Sequence, residues 1–394
     1  MVKKFAIATL LLVVGCQQPS AQPTAPPPPP PPTVAPAVSP SPVAKPAPSP
    51  AVSPAASPIA LPPEVVVTAN REDRTLSVVD PIATRVLATV ALDRPPHAVA
   101  IAADERSAFA TDPSETSRSV VFADLPTARQ VGDVTVGARP DGIASANTTG
   151  EVVVANSGDN SVSTFVPTSR APSSPIQVGN TPRGVAIAAV EGRSTAFVAN
   201  SADGSVSVVD LAQRRVAATV NVGGQPIAVA TSIDGSRAYA LDAQGGNVAV
   251  IDTRANQVTT TIRGGDHLTG LDTTADGRFL LVTADDATHN LYKVDLNTNQ
   301  PARDFNVGAG ALAVAASPRA ARAYITTTDN RLVVWDTAGD RVTGTVPVGR
   351  RPEGVAVQVQ PAPPATVSPS PAVSPAPAIG SPSPATKPQA TPTP

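Results

Sequence analysis

The histidines and nearby charged residues are the side chains of this sequence whose types could support acid–base or metal chemistry. The three histidines are His97, His267 and His289. Imidazole and carboxylate groups are common ligands of transition metals. The histidines, however, stand 170 and 22 residues apart, which matches no metal motif. We therefore predict no metal site and interpret these side chains as part of a solvated polar rim.

Asp272 is the residue that departs most from its surroundings. It ends the segment Gly270-Leu271-Asp272, whereas equivalent segments of the chain end in alanine, as in Gly184-Val185-Ala186. A carboxylate in such an apolar segment costs several kcal/mol unless it is paired or hydrogen-bonded. A structural hydrogen bond to a neighbouring sheet is the favoured interpretation, and a role in ligand binding is the alternative.

Other motifs that could support chemistry are incomplete. Fragments of calcium loops occur at residues 157–161, 233–236 and 275–278, but none has the twelve-residue series of ligands, so we interpret them as hairpin turns. The sequence has no G-x-S-x-G elbow, Walker loop or G-x-G-x-x-G fingerprint in a strand-to-helix setting. We predict no cofactor and no visible nucleophilic site.

A repeat of about 42 residues between Glu64 and Val359 must position these side chains. Its clearest copy, residues 182–224, has four Val-rich runs bounded by Gly, Asp and Asn, which predicts four strands joined by hairpins. Seven first strands and seven following hairpins recur. The first hairpin has no first strand before it, while the last first strand, Gly354 to Val357, has no hairpin after it. The sequence thus predicts an all-β, seven-bladed β-propeller closed by a C-terminal strand that joins the first blade.

This architecture would gather the polar residues on one face, because the loops that enter first strands and those that join second to third strands lie together in propellers. Asp141, Arg183 and Glu353 occupy the same entry position as His97. The predicted binding face comprises His97, Asp141, Arg183, His267, Asp272, His289 and Glu353.

Two further predictions concern packing. In the third repeat Val166 replaces the usual Asp, and PTSRAPSSP replaces the short turn, so we expect an irregular outer edge in that blade. Trp335 falls late in a third strand, where we expect it to pack between blades.

The repeat has a recognisable family pattern. Phe197-Val198-Ala199-Asn200, followed by SVSVVD and VNVGGQP, resembles the YVTN-type β-propeller repeat. The resemblance extends over residues 64–359 and implies the propeller fold. It leaves the activity open, since relatives include surface-layer proteins, lactonase-like enzymes and quinoprotein subunits.

The N-terminal residues predict export and lipidation. Residues 1–15 combine Lys3 and Lys4 with an apolar run too short to span a bilayer, which needs about 20 residues. The segment Val13-Val14-Gly15-Cys16, which contains the only Cys of the chain, resembles the bacterial lipoprotein signal. This resemblance implies a lipid on Cys16, and Gln17 implies the outer membrane if there is one. An ordinary secretion signal with an incidental Cys is the alternative.

Proline-rich composition sets the remaining boundaries. Residues 16–63 and 360–394 are rich in proline and lack apolar periodicity, which predicts a disordered stalk and tail around the propeller. The net charge of -2 disfavours a nucleic-acid partner. We expect an envelope-anchored, non-catalytic binding or scaffold propeller that meets the membrane through its lipid and an unknown protein, glycan or small ligand through its loops. The alternatives are a lactonase-like or quinoprotein-associated propeller and a structural surface-layer protein.

Overall fold

A computed structural model of the protein describes residues 58–146 and 149–359. The predicted leader, Cys16, most of the proline-rich stalk and the tail from residue 360 lie outside the described residues. Within the described ranges, 28 strands form seven four-stranded antiparallel sheets and there is no helix. Accordingly, no helix in this part of the chain could cross a membrane.

Each sheet is one blade of the ring, with its innermost strand at the axis and its outermost strand at the rim. Blade 1 contains β28 (Pro352–Val359), β1 (Glu64–Asn70), β2 (Thr75–Asp80) and β3 (Arg85–Ala91). Blade 2 contains β4 (Val99–Ile101), β5 (Ser107–Ala110), β6 (Ser119–Asp124) and β7 (Arg129–Thr135). Blade 3 contains β8 (Pro140–Ser145), β9 (Val152–Asn156), β10 (Ser161–Phe165) and β11 (Ile176–Gln177). Blade 4 contains β12 (Pro182–Val190), β13 (Arg193–Asn200), β14 (Ser205–Asp210) and β15 (Arg215–Asn221).

The last three blades follow the same order. Blade 5 contains β16 (Pro226–Thr231), β17 (Arg237–Asp242), β18 (Asn247–Asp252) and β19 (Gln257–Arg263). Blade 6 contains β20 (Leu268–Thr273), β21 (Phe279–Ala284), β22 (Leu291–Asp295) and β23 (Gln300–Phe305). Blade 7 contains β24 (Ala311–Ala316), β25 (Arg322–Thr327), β26 (Arg331–Asp336) and β27 (Arg341–Pro347).

The ring closes through the C-terminal strand, as predicted from the offset of the repeats. β28 pairs antiparallel with β1 from Glu64 opposite Val359 to Asn70 opposite Pro352. It also contacts the inner strands of both neighbouring blades, β24 and β4. This closure confirms the predicted fold, and it leaves no open end of the array for pairing with another chain.

The inner strands run side by side around the axis in matching register. A Cβ on Gly184 would lie 2.5 Å from the Cα of Ala228, and a Cβ on Gly354 would lie 2.5 Å from the carbonyl oxygen of His97. Such close approach explains why the inner strands carry Gly and Ala at these positions. We call the end of the axis where the inner strands begin the entry end, and the end where they finish the exit end.

Asparagines that end second strands hold the blades together internally. Asn70, Asn156 and Asn200 are fully buried. In each case Nδ2 donates to two hydroxyls of the third strand, as from Asn200 to Ser205 at 3.0 Å and Ser207 at 2.9 Å. The asparagine of the repeat is therefore a core hydrogen-bond donor.

Two packing predictions are also confirmed. The outer strand of blade 3, β11, is only two residues long. Val166 has no side-chain carboxylate to accept hydrogen bonds from the turn, and the N–H groups of Ser169 and Arg170 donate to its backbone carbonyl instead. The ring of Trp335 in blade 7 lies 4.8 Å, centroid to centroid, from that of Phe305 in blade 6.

The residues just before β1 also contact the propeller. Ile59 and Leu61 pack against the core shared by the first two blades. The N–H of Ile59 donates to the carbonyl of Pro126 at 2.7 Å. The segment predicted as a linker thus contributes its last residues to the packing of the domain.

Candidate functional site

Each blade has an equivalent residue at the entry end, directly before the Gly or Ala where the inner strand begins to pack around the axis. This residue is charged or ionisable in four consecutive blades and uncharged in the other three, so the seven residues form two arcs. In order from blade 1 to blade 7 the residues are Glu353, His97, Asp141, Arg183, Ile227, Thr269 and Leu312. We call the first four residues the charged arc.

The charged arc is a continuous chain of contacts across four blades. His97 lies between two carboxylates, with Nδ1 2.8 Å from Oε2 of Glu353 and Nε2 3.3 Å from Oδ1 of Asp141. Arg183 extends the chain, since its Nε lies 3.3 Å from Oδ2 of Asp141. The structure therefore brings together four of the residues that the sequence places on the candidate face.

Two arginines that the sequence analysis did not single out complete this cluster. Arg71, from the turn between β1 and β2, places NH1 2.9 Å from Oε2 of Glu353. Arg351 places Nε 2.7 Å from Oε1 of the same carboxylate. Both oxygens of Glu353 are thus engaged by cations. The pair Arg350-Arg351 just before the closing strand was the only sequence signal for this contact.

The contacts of the charged arc fix its protonation. Burial favours neutral His97, but its hydrogen bonds and charge interactions with Asp141 and Glu353 outweigh this effect and raise its pKa to about 9. Burial acts against ionised Glu353, but His97 and Arg71 lower its pKa to about 2. Burial likewise opposes the charge of Asp141, yet His97 and Arg183 lower its pKa. At neutral pH an imidazolium thus lies between two carboxylates, and it has no free nitrogen to act as a general base.

The other two histidines lie elsewhere and are exposed. His267 lies in the loop before β20 with a left-handed backbone, φ 54°. His289 lies in the loop between β21 and β22, where Nε2 is 3.4 Å from Oδ2 of Asp304. The predicted solvated rim describes these two side chains, but it is wrong for His97, Asp141 and Glu353, which are mostly buried because they pair with one another across blades. In residues 58–146 and 149–359, no group of three His, Cys, Asp or Glu side chains is arranged to hold a metal ion.

Asp272 lies towards the exit end of the axis. It comes three residues after Thr269, the entry-end position of its strand, which corresponds to about 10 Å along an extended chain. Oδ1 accepts a hydrogen bond from the N–H of Thr273 at 2.8 Å, and Oδ2 accepts one from the N–H of Ala316 in blade 7 at 2.8 Å. The second bond is the structural link between blades that the sequence analysis favoured.

Asp272 lines a cavity of about 540 Å³ around the axis. All seven inner strands contribute to its wall, which is mainly Ala, Val and Ile. Of the described residues that line it, Asp272 is the only titratable one, and burial raises its pKa to about 6 although two backbone hydrogen bonds oppose this shift. Ser145 and Ser194 also line the cavity, but their hydroxyl oxygens are buried and have no hydrogen-bond partner in the part of the chain that the structure describes.

Comparisons with known proteins identify a shared architecture. No protein-family model and no curated protein matches the chain. Hydrazine synthase of Kuenenia stuttgartiensis is similar at 20% identity over 67% of this chain and 95% of that chain, with a TM-score of 0.57. A functionally unknown protein from Desulfotomaculum acetoxidans DSM 771 is similar at 15% identity over 75% of this chain and 99% of that chain, with a TM-score of 0.60. The common feature is the propeller fold. At these identities the likeness extends to the fold alone.

Proposed function

We propose that this protein is a non-catalytic binding propeller, held at the bacterial cell envelope by a lipid on Cys16, that takes a small ligand in its axial cavity. The observation that carries this proposal is the cavity of about 540 Å³ around Asp272. Ligand sites are typically concave, about 300–1,000 Å³ in volume, mainly apolar and provided with a few polar groups. The cavity lies within this range of volume, and its wall presents apolar and polar surface in about equal shares, with Asp272 as its charged group.

The placement of the polar residues favours binding over catalysis. A lactonase-like or quinoprotein-associated activity would need Asp272, His97, Arg183 and His267 to converge. Instead, His97 and Arg183 both contact Asp141 at the entry end, Asp272 lies in the cavity, and His267 is exposed in a loop. The side chains of the charged arc neutralise one another and so stabilise the ring. A rigid ring suits ligand recognition, because a preformed site needs little ordering when the ligand binds.

The envelope location rests on the sequence. The short apolar leader, the only Cys directly after it and the proline-rich stalk support export, lipidation and display, and the resemblance to YVTN-type repeats is compatible with an extracytoplasmic domain. We expect the full-length chain to partition into the detergent phase of cell extracts and Cys16→Ser to move to the aqueous phase. Retention of the wild-type chain in the envelope after detergent extraction would instead favour a structural surface-layer role.

The binding proposal is tested by native mass spectrometry of the full-length chain after incubation with small molecules extracted from the envelope. The matched control is Ala356→Leu, because Ala356 lines the cavity and the substitution adds volume there while it keeps Asp272 and the residues of the charged arc in the sequence. We expect bound small molecules in the wild type and their loss in the variant, with thermal unfolding showing that both are folded. Identical spectra for the two proteins would contradict the proposal.

A further inference from the structure

We propose that the axial cavity binds an organic monocation, a primary ammonium group on a short aliphatic body, with Asp272 as its counter-ion. This inference rests on the proposed function of the cavity as a ligand site and names the class of ligand. It follows from two features of the cavity: a carboxylate without a cationic partner, and aliphatic side chains in the wall around it.

The carboxylate of Asp272 retains capacity for a ligand. Each of its oxygens accepts one backbone hydrogen bond, from Thr273 or Ala316. A carboxylate oxygen has a second lone pair that can accept another bond, and an ammonium group supplies three donors. A charge-assisted hydrogen bond of this kind is about twice as strong as a neutral one. An ammonium ligand would therefore add to the existing bonds of Asp272 without displacing them.

No side chain of the surrounding strands neutralises Asp272. Of the strands packed against β20, Pro226–Thr231, Phe279–Ala284 and Ala311–Ala316 contain no titratable residue. The fourth, Arg237–Asp242, contains Arg237, Tyr239 and Asp242, and none of these side chains forms a hydrogen bond or ion pair with Asp272. The adjoining groove, which shares Ser232, Ile233 and Ala275 with the cavity, contains the charged residues Asp234, Asp276 and Arg237. Because no cationic side chain is among the described residues that line the cavity, a cation that pairs with Asp272 would have to be a bound ligand.

The charges of the adjoining groove are partly committed. Asp234 accepts hydrogen bonds from Ser232 and Ser236, and Arg237 donates from NH1 to the carbonyl of Leu296. Hydrogen bonds to the Ser232 and Ser236 groups lower the pKa of Asp234. Asp234 in the adjoining groove therefore keeps its carboxylate charge through the pH range in which Asp272 titrates.

The wall favours an organic cation over a metal ion. Ala100, Ile101, Ala188 and Val357 are among the aliphatic residues that would contact the body of the ligand. Calcium sites combine about six to eight oxygen ligands, commonly with more than one carboxylate, whereas Asp272 is the one carboxylate among the described residues of this wall. An apolar body with one ammonium group matches both the aliphatic surface and the single charge.

The test is calorimetric titration of the full-length chain at pH 7.5 with n-butylammonium chloride, with sodium butyrate and 1-butanol as probes of similar size. We expect n-butylammonium to bind with a dissociation constant of about 1 mM, the range expected for so small a ligand. It should bind at least about tenfold more tightly than butyrate or 1-butanol, because only the cation pairs with Asp272.

Variants and pH identify the site. Asp272→Asn should weaken n-butylammonium binding at least about tenfold, and Ala356→Leu should abolish it while leaving the carboxylate in place. In the wild type, lowering the pH from 7.5 to 5 should weaken binding about tenfold, because the carboxylate with a pKa of about 6 becomes protonated. The pH series needs no substitution, so it remains informative if Asp272→Asn does not fold.

The possible outcomes separate this inference from the proposed function. If 1-butanol or butyrate binds as tightly as the cation and Ala356→Leu abolishes that binding, the cavity is a ligand site but the ammonium inference is overturned. Tighter competition by calcium chloride than by n-butylammonium would overturn it in favour of an inorganic cation. Failure of all three organic probes would also overturn it, and the mass-spectrometric comparison would then decide the proposed function by itself.

Discussion

The two ends of the propeller axis use carboxylates in opposite ways. At the entry end, Glu353 and Asp141 each contact cationic side chains from neighbouring blades. At the exit end, Asp272 accepts hydrogen bonds only from backbone N–H groups among its described partners. Both ends are built from the same inner strands, so the difference lies in the partners that the neighbouring blades supply.

This difference appears in the protonation of the three carboxylates. Burial opposes ionisation of all of them, but cations outweigh it at Glu353, whose pKa falls to about 2, and at Asp141, whose pKa is also lowered. Asp272 has no such cation, and burial raises its pKa to about 6. The carboxylates of the entry end are thus paired with cations, whereas Asp272 also joins two blades but does so through a backbone N–H and has no cationic partner among the described residues.

Removal of the closing strand should have the largest effect on stability, since β28 contributes Glu353 to the entry end and Ala356 to the cavity. A chain ending at residue 351 should lose cooperative thermal unfolding and aggregate, because β1 and two inner strands would lose their partner. Circular dichroism and size-exclusion chromatography measure this. A chain ending at residue 360 is the control, and equal behaviour of the two chains would contradict ring closure.

Glu353→Ala should give the next largest effect. It removes the carboxylate, only 11% exposed, that contacts His97, Arg71 and Arg351. Because Arg71 and Arg351 lose this carboxylate and His97 keeps only Asp141, the free energy of unfolding should fall by about 2–4 kcal/mol in urea titrations. Glu72→Ala, at an exposed pair with Arg350, is the matched control and should change little. Equal losses in both variants would break the distinction between the entry-end cluster and an ordinary surface pair.

His97 predicts a dependence of stability on pH. Its pKa is raised from an ordinary value of about 6.5 to about 9, so the folded state binds the proton more tightly than the unfolded state. This stabilisation is complete below about pH 6.5 and is lost as the pH rises to about 9. We expect a loss of about 2 kcal/mol across this window for a side chain that is 25% exposed. His97→Gln should flatten the curve, and an unchanged slope in that variant would contradict the assignment.

The contribution of Asp272 to the pH dependence of stability should be the smallest effect, and it should occur at lower pH than that of His97. Its pKa is raised from about 3.9 to about 6, so stability should decrease as the pH rises through this range, by about 1–2 kcal/mol. Asp272→Asn should flatten the curve below pH 6 and leave the His97 window unchanged. At pH 7 its stability should stay within about 1 kcal/mol of the wild type, because removal of a buried charge offsets the loss of one hydrogen bond. If Asp272→Asn instead changed the stability curve in the pH range where His97 titrates, this would show that the two ends of the axis are coupled.

The fold could be predicted from the sequence because its evidence is local and repeated. The strands of each blade follow from Val-rich runs and turns, and closure follows from the unmatched segments near Glu64 and Gly354. The alignment of repeats also predicts that His97, Asp141 and Glu353 share one position. It does not predict their contacts, because pairing between blades depends on how closely the inner strands approach around the ring.

The cavity was harder to predict. The repeats identify Asp272 as unusual, but its separation from the histidines arises from three further residues of an extended strand. Ser145 and Ser194 carry no distinguishing pattern, and only the curvature of the ring brings them to the same cavity. The predictions for Cys16 and the proline-rich segments stay predictions.

Titration of Asp272 by ¹³C NMR, with the aspartate carboxyl carbons of the full-length chain labelled and Asp272→Asn used for assignment, tests the availability of this carboxylate most directly. The structure predicts a midpoint at about pH 6 that moves to lower pH when n-butylammonium is added, since a bound cation stabilises the ionised form. The signal of Asp141 should not respond. A midpoint near the ordinary value of about 3.9, or one that n-butylammonium leaves unchanged, would contradict the assignment of Asp272 as a ligand-binding group.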